Sequence, residues 1–159
     1  MKSAIAEAWA TSFYAGLAPK APGTAGALVG IAMAYLLTQF AFFSGWHLAA
    51  LALAMLLPSV WATNVVIDET GLKDPQLVVM DETVGQLLAF AGAGWGAIGP
   101  WTFVVAFALF RGFDIVKPFP VNACEKMPRG WGVMMDDVMA GVYAALVLWC
   151  LREFASLPA

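Results

Sequence analysis

Histidine, cysteine and charge are scarce in this sequence, and each shortage removes a class of function. One histidine, His47, leaves no second imidazole for a shared metal or a two-histidine phosphotransfer. Two cysteines, Cys124 and Cys150, are too few for a disulfide scaffold and read as small apolar residues. Charged residues make up 12% of the 159, with 8 Lys and Arg against 11 Asp and Glu and a formal net charge of −3. The bases are scattered rather than striped, so nucleic acid is excluded as a partner.

Apolar residues fill the space. The sequence is 62% hydrophobic, with 7 Trp and 11 Phe, and its mean hydropathy is +0.79. A water-facing surface is hard to assemble from so few polar side chains, which implies a polytopic membrane protein. Residues 1–159 read as a single domain. Glu7 interrupts what would be a signal-peptide core, so the start reads as an uncleaved interfacial helix with Ile5, Trp9, Ser12 and Phe13 at helical spacing. Two prolines and three glycines between Gly16 and Gly26 mark a loop. In it Gly23 is suited to positive φ and Thr24 to capping the next helix, whose N-terminal N–H groups would face an anion.

The uncharged runs Ala25–Phe43 and Trp46–Ile67 are each about 20 residues, enough to cross a ~30 Å hydrocarbon core as a hairpin. His47 lies at its turn. Asp68 to Pro75 forms a polar connection in which acids are solvated, whereas Asp81 and Glu82 are set among Leu77, Val78, Val79, Met80 and Val84, where carboxylates are costly unless they bind something. Val84 to Phe110 carries no charge and is broken by Gly92, Gly94, Gly96, Gly99 and Pro100. It reads as a second hairpin whose arms extend from near Gln76 to near Lys117, each about 17 residues or ~26 Å. A last helix opens at Asp137 and ends near Leu151. The expected fold is therefore all-α: a polytopic membrane helical bundle with an interfacial N-terminal helix, two transmembrane hairpins and a final transmembrane helix. Two crossings between Val84 and Phe110 gather Lys2, Lys20, Lys73, Arg111, Lys117, Lys126 and Arg129 on one face and leave only Arg152 opposite, which makes the charged face cytoplasmic.

That face can hold a metal and a phosphate. Asp81, Glu82, Asp114, Asp136 and Asp137 offer oxygen ligands of the kind Mg²⁺ shares with substrate phosphates. Arg111, Asp114 and Lys117 are spaced by three, on adjoining parts of one helical face. An ion-paired helix end is the plain structural reading, but so many acids repel one another unless a cation neutralises them. Cys124 and Arg129 are separated by four residues instead of the five of a cysteine phosphatase loop, and no aspartate is followed two places later by another. A water activated by metal is the remaining nucleophile. The alternative is a cation-coupled membrane transporter using the same intramembrane acids, although translocation calls for acids near the midplane.

Four stretches together resemble bacterial phosphatidylglycerophosphatase A. They are Ala18-Pro-Lys-Ala-Pro-Gly-Thr24, Asp74-Pro-Gln-Leu-Val-Val-Met-Asp-Glu-Thr-Val-Gly85, Phe110-Arg-Gly-Phe-Asp-Ile-Val-Lys-Pro-Phe-Pro120 and Gly130-Trp-Gly-Val-Met-Met-Asp-Asp-Val-Met-Ala-Gly141. The resemblance covers nearly the whole chain. It implies a Mg²⁺-dependent enzyme of the bacterial inner membrane that hydrolyses the lipid phosphatidylglycerophosphate to phosphatidylglycerol and phosphate. Asp81, Glu82, Asp136 and Asp137 match the acidic motifs and would hold the metal; Arg111, Asp114 and Lys117 match the Phe-Arg-x-Phe-Asp-x-x-Lys-Pro motif. Arg111, Lys117 and Arg129 would hold the terminal phosphate, with Lys20, Gly23 and Thr24 contributing from the first loop. Asp114 is either a further ligand or orients the attacking water. Phe119 stands where many relatives would carry Trp.

Overall fold

A computed structural model describes residues 2–155, apart from the side chain of Lys2. The lysine expected to open the charged face therefore lies, in its side chain, outside the described residues. The helices are α1 (Lys2–Ala10), α2 (Pro22–Phe40), α3 (Gly45–Thr70), α4 (Met80–Ala89), α5 (Pro100–Val116), α6 (Val121–Cys124) and α7 (Gly130–Phe154), with 3-10 turns at Ala15–Leu17 and Phe90–Ala93. No strand occurs among the described residues. α2, α3 and α7 are long and apolar enough to cross a membrane. Exposed aromatics stand near both ends of the bundle, Phe13, Tyr14 and Phe119 at one and Phe40, Phe42 and Trp95 at the other, as in a membrane protein with interfacial belts.

The first hairpin forms where the uncharged runs place it. Its turn is fixed by a capping box in which the Ser44 amide donates to His47 Nδ1 at 3.0 Å, and the imidazole packs between Phe43 and Trp95. α3 runs on to Thr70 and stops at Gly71, φ 69°. Asp68 and Glu69 thus end a helix instead of lying in a loop. α1 is also shorter than its spacing suggests, because Ser12, Phe13 and Tyr14 take φ of 47°, 57° and 70°. Its buried face is Ala6 and Ala10, while Ile5 and Phe13 are exposed, and Trp9 ties it to α3 by donating to Ser59 Oγ at 3.0 Å.

α4 is the centre of the molecule. Of its residues all but Glu82 are buried, and it packs against α2, α3, α5 and α7. It has 10 residues, ~15 Å, and the 3-10 turn adds 4 more, ~8 Å. The first arm of the second hairpin is therefore shorter than expected, since Gly71–Val79 stays irregular and pairs with α1 through Val79 N–H to Ala10 O at 2.9 Å. It still reaches the far end, where Gly94 O accepts from the Trp46 amide, and α5 returns. Close packing makes this possible. A Cβ on Gly85 would come 2.6 Å from Asp137 O, and one on Gly141 would overlap Gly85 O, so α4 and α7 meet backbone to backbone as small-residue helix pairs do in lipid.

Two helix starts differ from expectation. α7 begins at Gly130, where the amide donates to Asn64 Oδ1 of α3 at 3.0 Å, so Asp136 and Asp137 lie well inside the helix rather than at its opening. α2 begins at Pro22 with Ala21, φ 48°, preceding it and no side-chain cap. Gly23 is helical and Thr24 does not cap, because proline at the first position already supplies a helix start without an N–H to satisfy.

Candidate active site

The charged stretches converge at one end of the bundle. A cavity of about 310 Å³ there is lined by Gly23 of α2, Asp74, Gln76, Asp81 and Glu82, then Arg111, Asp114 and Lys117 at the end of α5, and Asp136 and Asp137 of α7. Asp81 and Glu82 occupy the first turn of α4, where the helix dipole favours negative charge. Each of Asp81, Glu82 and Asp137 offers a carboxylate oxygen, and these three atoms lie within 4.8 Å of one another. Asp81 Oδ1 and Glu82 Oε2 are buried without a hydrogen-bond partner. Orphaned oxygens converging in this way fit a hard divalent cation, which takes oxygen ligands and would relieve their repulsion.

The bases are held in place by the other acids. Arg111 Nη1 donates to Asp114 Oδ2 at 2.5 Å, an i, i+3 pair on α5. Lys117 reaches Asp136 Oδ2 at 2.9 Å and also pairs with Glu125. Asp136 Oδ1 accepts from the Asp137 amide at 3.1 Å, so Asp136 shares the cavity but stands apart from the carboxylate trio. Burial pulls the Lys117 pKa down, yet its bonds to Glu125 and Asp136 outweigh this and hold it above the ordinary lysine value. Gly23 is required by proximity: a Cβ there would overlap Glu82 Oε1 and sit 3.5 Å from Arg111 Nη1.

The profile of the family described as "Phosphatidylglycerophosphatase A" matches residues 8–152. The chain belongs to the phosphatidylglycerophosphatase A family. Relatives named phosphatidylglycerophosphatase A occur in Haemophilus influenzae, 36% identical over 90% of this chain and 86% of the relative, and in Escherichia coli, 32% identical over 88% and 79%. A Bacteroides thetaiotaomicron protein named "Putative phosphatidylinositol-3-phosphatase" is 42% identical over 89% of this chain and 90% of its own length. No solved structure matches the chain. The protein is accordingly a phosphatase with membrane-spanning helices.

Within this family member, the expected residues separate into two groups. Asp81, Glu82, Gly23, Arg111, Asp114, Lys117, Asp136 and Asp137 line one cavity. Lys20 is exposed on the preceding loop, and neither it nor Thr24 lines the cavity. Arg129 faces a neighbouring recess and joins α7 to α3 by donating to Asp68 Oδ1 at 2.7 Å and Asn64 Oδ1 at 3.2 Å. Asp74 and Gln76 line the cavity although the loop around them reads as solvated, and Glu125 reaches Lys117 from eight residues away. Spacing gives no sign of these, because an irregular loop has no period. Cys124 is absent from the cavity lining, and burial together with the charge of Asp136 pushes its thiol pKa up.

Proposed function

We propose that this protein is a Mg²⁺-dependent phosphatidylglycerophosphate phosphatase whose site opens on the cytoplasmic leaflet of the bacterial inner membrane. The observation that carries the reading is the juxtaposition of three mutually close carboxylates with Arg111 and Lys117 in one cavity at one end of an apolar bundle. Asp81, Glu82 and Asp137 would hold the cation, with Asp136 next to them. When bound, it supplies Lewis acidity for the phosphoryl oxygens and a more acidic water.

The protein's own groups do the positioning. Arg111, fixed by Asp114, presents a planar fork that can grip two phosphate oxygens. Lys117, fixed by Asp136, adds a point charge. The start of α2 at Pro22 and Gly23 borders the cavity, so the positive end of that helix dipole favours the substrate's terminal phosphate. Asp114, committed to Arg111, orients the guanidinium. Since the cavity lies at one end of the helices, a headgroup phosphate reaches it while its acyl chains stay in the bilayer. Membership of a phosphatase family answers the transport alternative.

A second substrate follows from the name of the Bacteroides relative. Phosphatidylinositol 3-phosphate, like phosphatidylglycerophosphate, carries a phosphate monoester on a polyol headgroup. Phosphate release from both lipids by purified protein, in Mg²⁺ and in excess EDTA, tests the reading. Faster release from phosphatidylglycerophosphate, lost in EDTA and restored by Mg²⁺, is the expected result. Full activity in EDTA would overturn the metal assignment, and turnover of the inositol lipid alone would overturn the substrate.

A further inference from the structure

The carboxylate trio has a neutral polar neighbour that the proposed chemistry leaves unused. Gln86 lies on α4 one turn beyond Glu82 and is wholly buried, at 0% exposure. Neither its Nε2 nor its Oε1 has a hydrogen-bond partner. Each polar group buried in that way costs about 1–3 kcal/mol, and a leucine or methionine would fill the position without that cost. α2 closes over the stem of the side chain: a Cβ on Gly30 would come 3.0 Å from Gln86 Cβ and 3.2 Å from its Cγ. The amide is thus confined where it is least comfortable.

Two more unpartnered buried atoms, Asp81 Oδ1 and Glu82 Oε2, belong to the same helix. Residues four apart are neighbours on a helix face, and Gln86 follows Glu82 by one turn of α4, although no hydrogen bond joins the two side chains in the structure. Unsatisfied amide and unsatisfied carboxylate oxygen are complementary, since Nε2–H donates and Oε2 accepts. An amide is also suited to this place electrostatically. A lysine there would neutralise the carboxylate and compete with a cation, whereas a glutamine fixes the carboxylate without removing its charge.

We propose that Gln86 is a positioning residue for the cation site: with the cation in place its amide, one helical turn from Glu82 and otherwise unpartnered, turns to donate to Glu82 Oε2 and fixes the orientation in which Glu82 presents its oxygens to the metal. This rests on the reading of Asp81, Glu82 and Asp137 as cation ligands. Partners that orient a metal ligand typically change metal affinity 10–100-fold when removed.

The test is thermal melting of the purified full-length protein in detergent across a Mg²⁺ titration, because a ligand that binds the folded state raises the melting temperature with its concentration. Gln86→Met is expected to melt at or above the wild-type temperature without Mg²⁺. Its half-point for Mg²⁺ stabilisation should rise about 10–100-fold, and excess Mg²⁺ should restore its turnover with KM for the lipid unchanged. Gln86→Asn keeps the amide but withdraws it by one methylene, and decides the matter by the same shift if the methionine variant fails to fold. An unchanged half-point in the folded variant would overturn the role of Gln86 while leaving the cation site intact. A wild-type protein that hydrolyses lipid yet gains no stability from Mg²⁺ would overturn the cation site itself, and this inference with it.

Discussion

Replacing Gly23 with alanine should abolish most of the turnover while leaving the fold intact. The new Cβ would overlap Glu82 Oε1 and sit 3.2 Å from Glu82 Cδ and 3.5 Å from Arg111 Nη1. Carbon and oxygen rest at roughly 3.2–3.5 Å, so the carboxylate must retreat by about 1 Å. Glu82 Oε1 ends a flexible side chain, so that retreat is inexpensive for stability, and alanine in a helix gains about 0.5–1 kcal/mol over glycine. Chemistry is less forgiving, because a 1 Å misplacement of a reacting group can lower a rate about 100-fold, equivalent to ~2.7 kcal/mol of barrier. Phosphate release and thermal melting measured side by side check this. The control is Gly112→Ala, one residue from Arg111, where an added Cβ meets nothing within 4 Å; it should melt about 2–4 °C higher with turnover unchanged. Wild-type turnover by Gly23→Ala would refute the placement of Glu82 beside α2, and equal loss in both variants would show that helix rigidity, not the carboxylate, is responsible.

Asp81→Asn, Glu82→Gln and Asp137→Asn should each lower turnover by about 100-fold or more, while Asp68→Asn removes only an exposed pair with Arg129 and should cost no more than ~1 kcal/mol of stability; melting curves separate lost chemistry from lost fold. Cys124→Ser should leave phosphate release intact, since its thiol pKa is raised and it lies off the cavity; a trapped phosphocysteine would contradict this. Lys117 has a raised pKa in the fold, so its stabilising contribution is complete below the unfolded value of about 10.4 and is lost only as pH rises through the folded one. Lys117→Gln should therefore melt below wild type at about pH 7 to 9, where the paired lysine is fully charged, and an unchanged melting temperature would refute the pairing with Glu125 and Asp136.

The parts of this molecule that could be read in advance are those where a side chain's surroundings along the chain match its surroundings in space. The hairpin of α2 and α3 is such a case, because lipid or apolar packing surrounds its residues on both sides. Asp81 and Glu82 are another, their isolation in an apolar stretch being itself the signal. α4 could not be measured that way. Its length is set by Gly85 and Gly141, which let it sink between other helices, and a helix enclosed by protein need not match the membrane's thickness. Asp137 as a helix start failed for a related reason: Asn64, distant in sequence, supplies the acceptor that lets α7 begin at Gly130. Ser12 sits at helical spacing with Ile5 and Trp9, yet it leaves the helix and lies 2.7 Å from Thr83 Oγ1. Gln86 is the only polar side chain between Val84 and Trp101, a signal present in the sequence whose meaning depends on the burial that only the fold supplies.

The enclosure of α4 also constrains how the protein is made. A 10-residue helix with two carboxylates in its first turn is a poor candidate for lodging in lipid on its own, and its neighbour α7 is the last helix among the described residues. During synthesis, α2 and α3 can settle in the bilayer as soon as they emerge, whereas α4 must wait near the surface until α5 and α7 close around it. Asp136 and Asp137 arrive with that closing helix, so the candidate site is not assembled until α7 has emerged. A polypeptide broken off before residue 130 would leave two acids and an apolar helix without shelter, the kind of exposed feature that membrane proteases can recognise.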